Sequence, residues 1–151
     1  MNLSPHFTLA ELTRSETATR LGIKNVPPTA VTEALRLVCV HVLEPVRAHF
    51  GRPVTVNSGY RSQAVNRAVK GSSTSQHVRG EAVDFEVPGV SNGDVAAWVR
   101  FNLQFDQLIL EAYTPGNPSS GWVHCSWKPS GRRMSVLTYV PGRGYFNGLS
   151  V

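Results

Sequence analysis

Cysteine is scarce: Cys39 and Cys125 are the two in 151 residues. That is too few for a disulfide framework, and a single bridge between them is the most the count allows. Long apolar runs are missing as well. The longest, Leu37 to Leu43 with His41 inside it, falls far short of the roughly 20 residues needed to cross a bilayer. The opening Met-Asn-Leu-Ser-Pro-His lacks the basic-then-apolar layout of a secretory signal, so synthesis without a signal peptide is expected. No repeat or low-complexity segment interrupts the chain. Acidic residues are few, 10 against 15 Lys and Arg, giving a formal charge of +5 and a pI near 9.7. Such an excess favours an anionic partner, whether a wall polymer, a membrane surface or a nucleic acid. Basic residues are nevertheless scattered, with Arg132-Arg133 the densest cluster. Without a basic stripe interleaved with aromatics, nucleic-acid binding is not expected.

What is present is an ordinary globular composition, 41% hydrophobic and 17% charged, and a length that fits one domain over residues 1–151. A chain of this size buries about two-thirds of its unfolded surface, enough for a core without covalent staples. The N-terminal third reads as helical. Thr8 and Glu11 have capping-box spacing, Ser15 opens a second short helix that Gly22 closes, and Thr29 to Phe50 carries apolar residues at 3.6-type spacing. Pro45 should kink or interrupt the last turns of that long helix. Strand signals follow: Val54 and Val56, then Glu81 to Val87, with Val83, Phe85 and Val87 alternating against Ala82, Asp84 and Glu86. Short helices are expected at Gln63–Val69 and Asn92–Leu103, strands at Gln107–Tyr113, Gly121–Trp127 and Ser135–Val140, and then a Gly-rich tail. Helices first and strands later predict an α+β fold, a small, mainly antiparallel sheet with N-terminal helices packed on it.

Of five histidines, His6, His41 and His49 read as surface or packing residues. His77 and His124 each lie beside another candidate ligand. Asp84 follows His77 by seven residues, and Gly80 between them allows the tight turn that brings imidazole and carboxylate together. A carboxylate on an apolar strand needs a partner or a metal, and a structural ion pair satisfies that need as well as an ion does. If the strands ending at Tyr113 and starting at Gly121 pair symmetrically about the point between Asn117 and Pro118, Glu111 stands opposite His124. That register gathers His77, Asp84 and His124 with a spare carboxylate beside them. Two histidines, one aspartate and an open fourth position suit catalytic zinc, which makes a nucleophile available at neutral pH. Glu111 is the candidate general base, with a cross-strand salt bridge as its alternative role; Glu81 and Glu86 flank Asp84 without a comparable geometric argument.

The string Ser75-x-His77-x-x-Gly80-x-Ala82-x-Asp84, preceded by Ser58-Gly59-Tyr60-Arg61-Ser62 and followed by Trp122-Val123-His124, resembles the zinc D-alanyl-D-alanine carboxypeptidase family. That family shares its fold with the Hedgehog signalling domain and includes phage endolysin peptidases. The resemblance covers roughly residues 54 to 127. It implies zinc ligands at His77, Asp84 and His124, an Arg61 that binds the substrate carbonyl and stabilises the developing oxyanion, and a Ser75 that hydrogen-bonds the bound peptide. One departure stands out. Many relatives carry the base a few residues before the last ligand, where this chain has Ser119, Ser120 and Gly121; Glu111 on the preceding strand fits the version in which the base comes from there.

The resulting expectation is a monomeric zinc peptidase of 151 residues that cleaves stem or cross-bridge peptides of peptidoglycan. A phage lysin or virion-associated enzyme, made in the host cytoplasm and acting at the wall, fits the size and the basic charge. A D,D-carboxypeptidase of the same fold and a catalytically silent zinc module are the rivals.

Overall fold

The computed structural model describes residues 1–150. Strands β1 (Asn2–Ser4) and β2 (Phe7–Thr8) form a small hairpin, and Thr8 also caps α1 (Leu9–Thr13) through the capping box with Glu11. Ser15 caps α2 (Glu16–Leu21), which ends on Gly22 in the left-handed region. The long amphipathic segment divides into α3 (Thr29–Val38), a π-turn at Cys39–Leu43 and α4 (Glu44–Phe50). Pro45 is the physical reason. It has no N–H to offer the carbonyl four residues back, and its ring would collide there. The helix widens by one residue ahead of it, with the Glu44 N–H donating to the Cys39 carbonyl.

A six-stranded sheet follows, in the order β3 (Thr55–Ser58), β4 (Ala82–Glu86), β6 (Trp122–Ser126), β5 (Gln107–Glu111), β7 (Ser135–Val140), β8 (Gly144–Asn147). Helix α5 (Gln63–Ala68) lies between β3 and β4 in sequence, and α6 (Asn92–Asn102) between β4 and β5. The α+β class matches the sequence expectation, but the sheet is mixed rather than mainly antiparallel, because β7 pairs parallel to β5. The connection explains this. Strand β6 exits beside the start of β5, and residues 127–134 wrap that same end before β7 begins opposite Gln107. The wrap is tied to Asp106, whose buried carboxylate accepts hydrogen bonds from the backbone N–H, Nε and Nη2 of Arg133. Strand β8, expected only as a Gly-rich tail, and the β1–β2 hairpin are additions to the sequence reading.

On β4, β5 and β6 alternate residues take opposite faces. Val83, Phe85, Leu108, Leu110, Val123 and Cys125 are fully buried against Leu35, Val38, Leu43 and Val46 of the helical segment and Val95 and Val99 of α6. Asp84, Ile109, Glu111, Trp122 and His124 line the other face. Both cysteines are buried and unbonded, and burial pushes the Cys39 thiol up to about 12. Among the described residues no helix is long and apolar enough to cross a membrane.

Burial opposes ionisation of Asp106, but the Arg133 bonds outweigh it and hold the carboxyl down to about 2. An unfolded aspartate titrates near 3.9, so the stabilisation is complete above about pH 4 and is lost as pH falls through 2. We therefore expect Asp106→Asn to lower stability by about 2 kcal/mol at pH 7. In urea unfolding, the gap between wild type and variant should narrow steadily from about pH 4 to pH 2.

Candidate metal centre

Strand β4 places Asp84 directly opposite His124 on β6, and His124 in turn stands opposite Ile109 on β5. The third member, His77, comes from the polar loop before β4. Its N-terminal turn is set by Ser75, whose Oγ accepts the His77 backbone N–H at 3.2 Å. Its return depends on Gly80 at φ +71, where a Cβ would sit 2.7 Å from Val31. Ligand atoms of His77, Asp84 and His124 all lie within 4.8 Å of one another. His77 Nε2 is 3.4 Å from Asp84 Oδ2, and His124 Nδ1 is 2.8 Å from Asp84 Oδ1.

The arrangement fixes how each ring faces the cluster. The Gly59 carbonyl can only accept, and it lies 2.7 Å from His77 Nδ1. That nitrogen therefore carries a proton and donates, which turns Nε2 toward Asp84. Gly59 is tight on its other side too, since a Cβ there would meet the Leu12 carbonyl oxygen at 2.3 Å. Burial resists the charge on Asp84, but the two imidazoles outweigh it and hold the carboxyl far below the usual carboxylate range. For His124 burial disfavours the cation, and Asp84 overcomes that and raises its proton affinity. Two imidazoles and one carboxylate, oriented by a backbone carbonyl, are a donor set that a divalent ion such as zinc fits.

Around the cluster opens a cleft of about 770 Å³. Arg61 stands in its wall, with Nη2 3.6 Å from Asp84 Oδ2. Glu111 lies on the same sheet face as His124, though not opposite it. The observed ladder pairs Glu111 with Trp122 and centres between Gly116 and Asn117, with a separate Thr114–Asn117 bridge inside the turn. The expected register is thus corrected by two residues, a slip that preserves the face. Glu111 accepts a hydrogen bond from the Trp122 indole N–H. Burial, and next the charge of Asp84, raises its proton affinity against the opposing pull of His124, Trp122 and Arg61.

The profile of the peptidase M15 family matches residues 5–126. The chain belongs to the peptidase M15 family. It is also 38% identical over 113 residues to a protein of Streptomyces albus G named zinc D-Ala-D-Ala carboxypeptidase. The aligned stretch is 74% of this chain and 42% of that relative, so the chain spans less than half of the relative's length. Within this M15 chain, Glu81 is engaged by Arg79 and Glu86 by Asn57 and Asn92, and neither lines the cleft. Ser119, Ser120 and Gly121 belong to the turn, and a Cβ at Gly121 would lie 2.1 Å from the Glu111 carbonyl oxygen. Trp122 as the partner that positions Glu111, and Tyr145 in the cleft wall, are site residues the sequence reading missed. Trp122 lies in the Trp122-Val123-His124 block, but its contact with Glu111 depends on strand pairing, and no local pattern marks Tyr145.

If the three-residue cluster binds zinc, the ion stabilises the fold by mass action. At about 100 times its dissociation constant it should add about 2.7 kcal/mol to the unfolding free energy. His77→Ala should abolish this increment, measured by urea unfolding with and without zinc.

Proposed function

We propose that residues 1–151 form one zinc-dependent peptidase domain that hydrolyses peptide bonds in the stem or cross-bridge peptides of bacterial peptidoglycan. The observation that carries this reading is the juxtaposition, in one cleft, of the His77–Asp84–His124 cluster with Glu111 and Arg61. The name of the Streptomyces relative supports both the metal and the class of substrate. Zinc held by the three side chains supplies a Lewis acid and a nucleophile available at neutral pH. Glu111 accepts the proton of the attacking water and delivers it to the leaving amine, and the Trp122 indole N–H fixes the carboxylate for that transfer. Arg61 presents a guanidinium to the oxygen that gains charge during attack. Ser75, at the cleft wall, hydrogen-bonds the peptide backbone.

Cleavage within a chain is the mode the cleft favours. Along β5 its floor runs from Glu111 past Ile109, level with His124, to Gln107, so lining residues continue on both sides of the cluster. A lysin of phage type, drawn to the anionic wall by a net charge of +5, fits this shape. Trimming of free D-alanyl-D-alanine ends is the second reading, favoured by the relative's name.

Zinc-loaded protein incubated with purified peptidoglycan, followed by mass spectrometry of the released peptides, tests the proposal. New termini inside the peptides support an endopeptidase, loss of single alanines supports the carboxypeptidase, and no release contradicts both. Glu111→Gln should retain zinc while cutting kcat by roughly a hundredfold or more; full activity in this variant would remove Glu111 from the base role.

A further inference from the structure

At the end of the cleft away from Glu111, a second charged group lies outside the metal cluster. Its centre is Asp106, 1% exposed, just ahead of β5. Arg133 satisfies it with Nε and Nη2 bonds of 2.7 to 3.1 Å and with its backbone N–H at 2.9 Å. Lys128 stands at the same carboxylate, but its Nζ is 3.7 Å from Asp106 Oδ1, beyond hydrogen-bond range. Among the described residues Nζ makes no hydrogen bond, so three ammonium donors remain to be used. Its side chain is 33% exposed, and Lys128, Arg133 and Asp106 all line the cleft. Two cations against one anion leave a surplus positive charge on a partly desolvated wall, where a carboxylate gains most from it.

We infer that Lys128, held beside the Arg133–Asp106 pair, is a subsite for a free carboxylate on the bound peptide. Asp106, just ahead of β5, precedes Ile109, the residue level with His124, by three residues, so at the rise of extended chain its backbone lies about 10 Å from that level. An extended peptide covers about 3.3–3.6 Å per residue. The carboxylate recognised here therefore sits about three residues from the bond at the cluster. The substrate class is an anionic peptide of several residues rather than a dipeptide. Arg133 spends Nε and Nη2 on Asp106, whereas Lys128 Nζ has no hydrogen-bond partner among the described residues, so Lys128 is the cation of the pair with all its donors available.

The inference rests on reading the cleft as a peptide site, and binding and turnover separate the two. The probes are two stem-type peptides, identical except that one bears a free carboxylate three residues from the scissile position and the other its carboxamide. Titration by calorimetry should show the wild-type protein preferring the carboxylate form by roughly five- to tenfold at low salt, with the preference shrinking as salt rises. Lys128→Ala should bind both forms alike with unchanged melting, Lys128→Arg should keep the preference, and Lys70→Ala, which removes another cleft-lining cation, should keep it too. Equal binding of the two peptides by wild type, a preference that survives Lys128→Ala, or one lost in Lys70→Ala would each overturn the assignment. Preferential binding without hydrolysis would sink the peptidase reading and leave the subsite standing.

Discussion

Three neighbouring strands with opposite faces committed to opposite tasks are what the rest of this structure depends on. On β4, β6 and β5 one alternation set is buried in the core and the other lines the cleft. The buried set locks the register, since a shift of one residue would drive Asp84, His124 and Glu111 into hydrocarbon and expose six core residues. Apolar packing on one face thereby fixes the ligand geometry on the other. The loop that brings His77 has no such ladder to rely on. It is held by a glycine in the left-handed region at Gly80, by the Ser75 hydroxyl and by the Gly59 carbonyl.

Charge in the cleft follows from the same construction. Asp84 is buried between two imidazoles with Arg61 nearby, so the carboxylate stays ionised and available as a ligand. Glu111, two positions along β5 from the residue facing His124, has the opposite bias. Its partly buried setting and the Asp84 charge raise its proton affinity. Two carboxylates on one sheet face are thus shifted in opposite directions by their surroundings.

Much of this was legible in the sequence, and the limits have physical causes. The Thr8–Glu11 capping box, Ser15 and Gly22 at the ends of α2, and the alternation through Asp84 are local signals, and the structure repeats each one. The pairing of Glu111 was misplaced by two residues because the turn centre moved by one, toward the Thr114–Asn117 bridge, yet an even slip leaves faces unchanged. The parallel β5–β7 pair could not be read locally. It depends on Arg133 reaching a buried Asp106 27 residues away, and sequence showed Arg132-Arg133 merely as a basic cluster. The β8 strand escaped because Gly142 and Gly144 obscure a short segment whose Tyr145 and Phe146 stay exposed.

X-ray absorption at the zinc edge of the loaded protein tests the central claim most directly. The account predicts one zinc per chain bound by two imidazole nitrogens, one carboxylate oxygen and a solvent oxygen, all near 2.0–2.2 Å. A sulfur scatterer near 2.3 Å, a single imidazole, or no tightly bound zinc would contradict it.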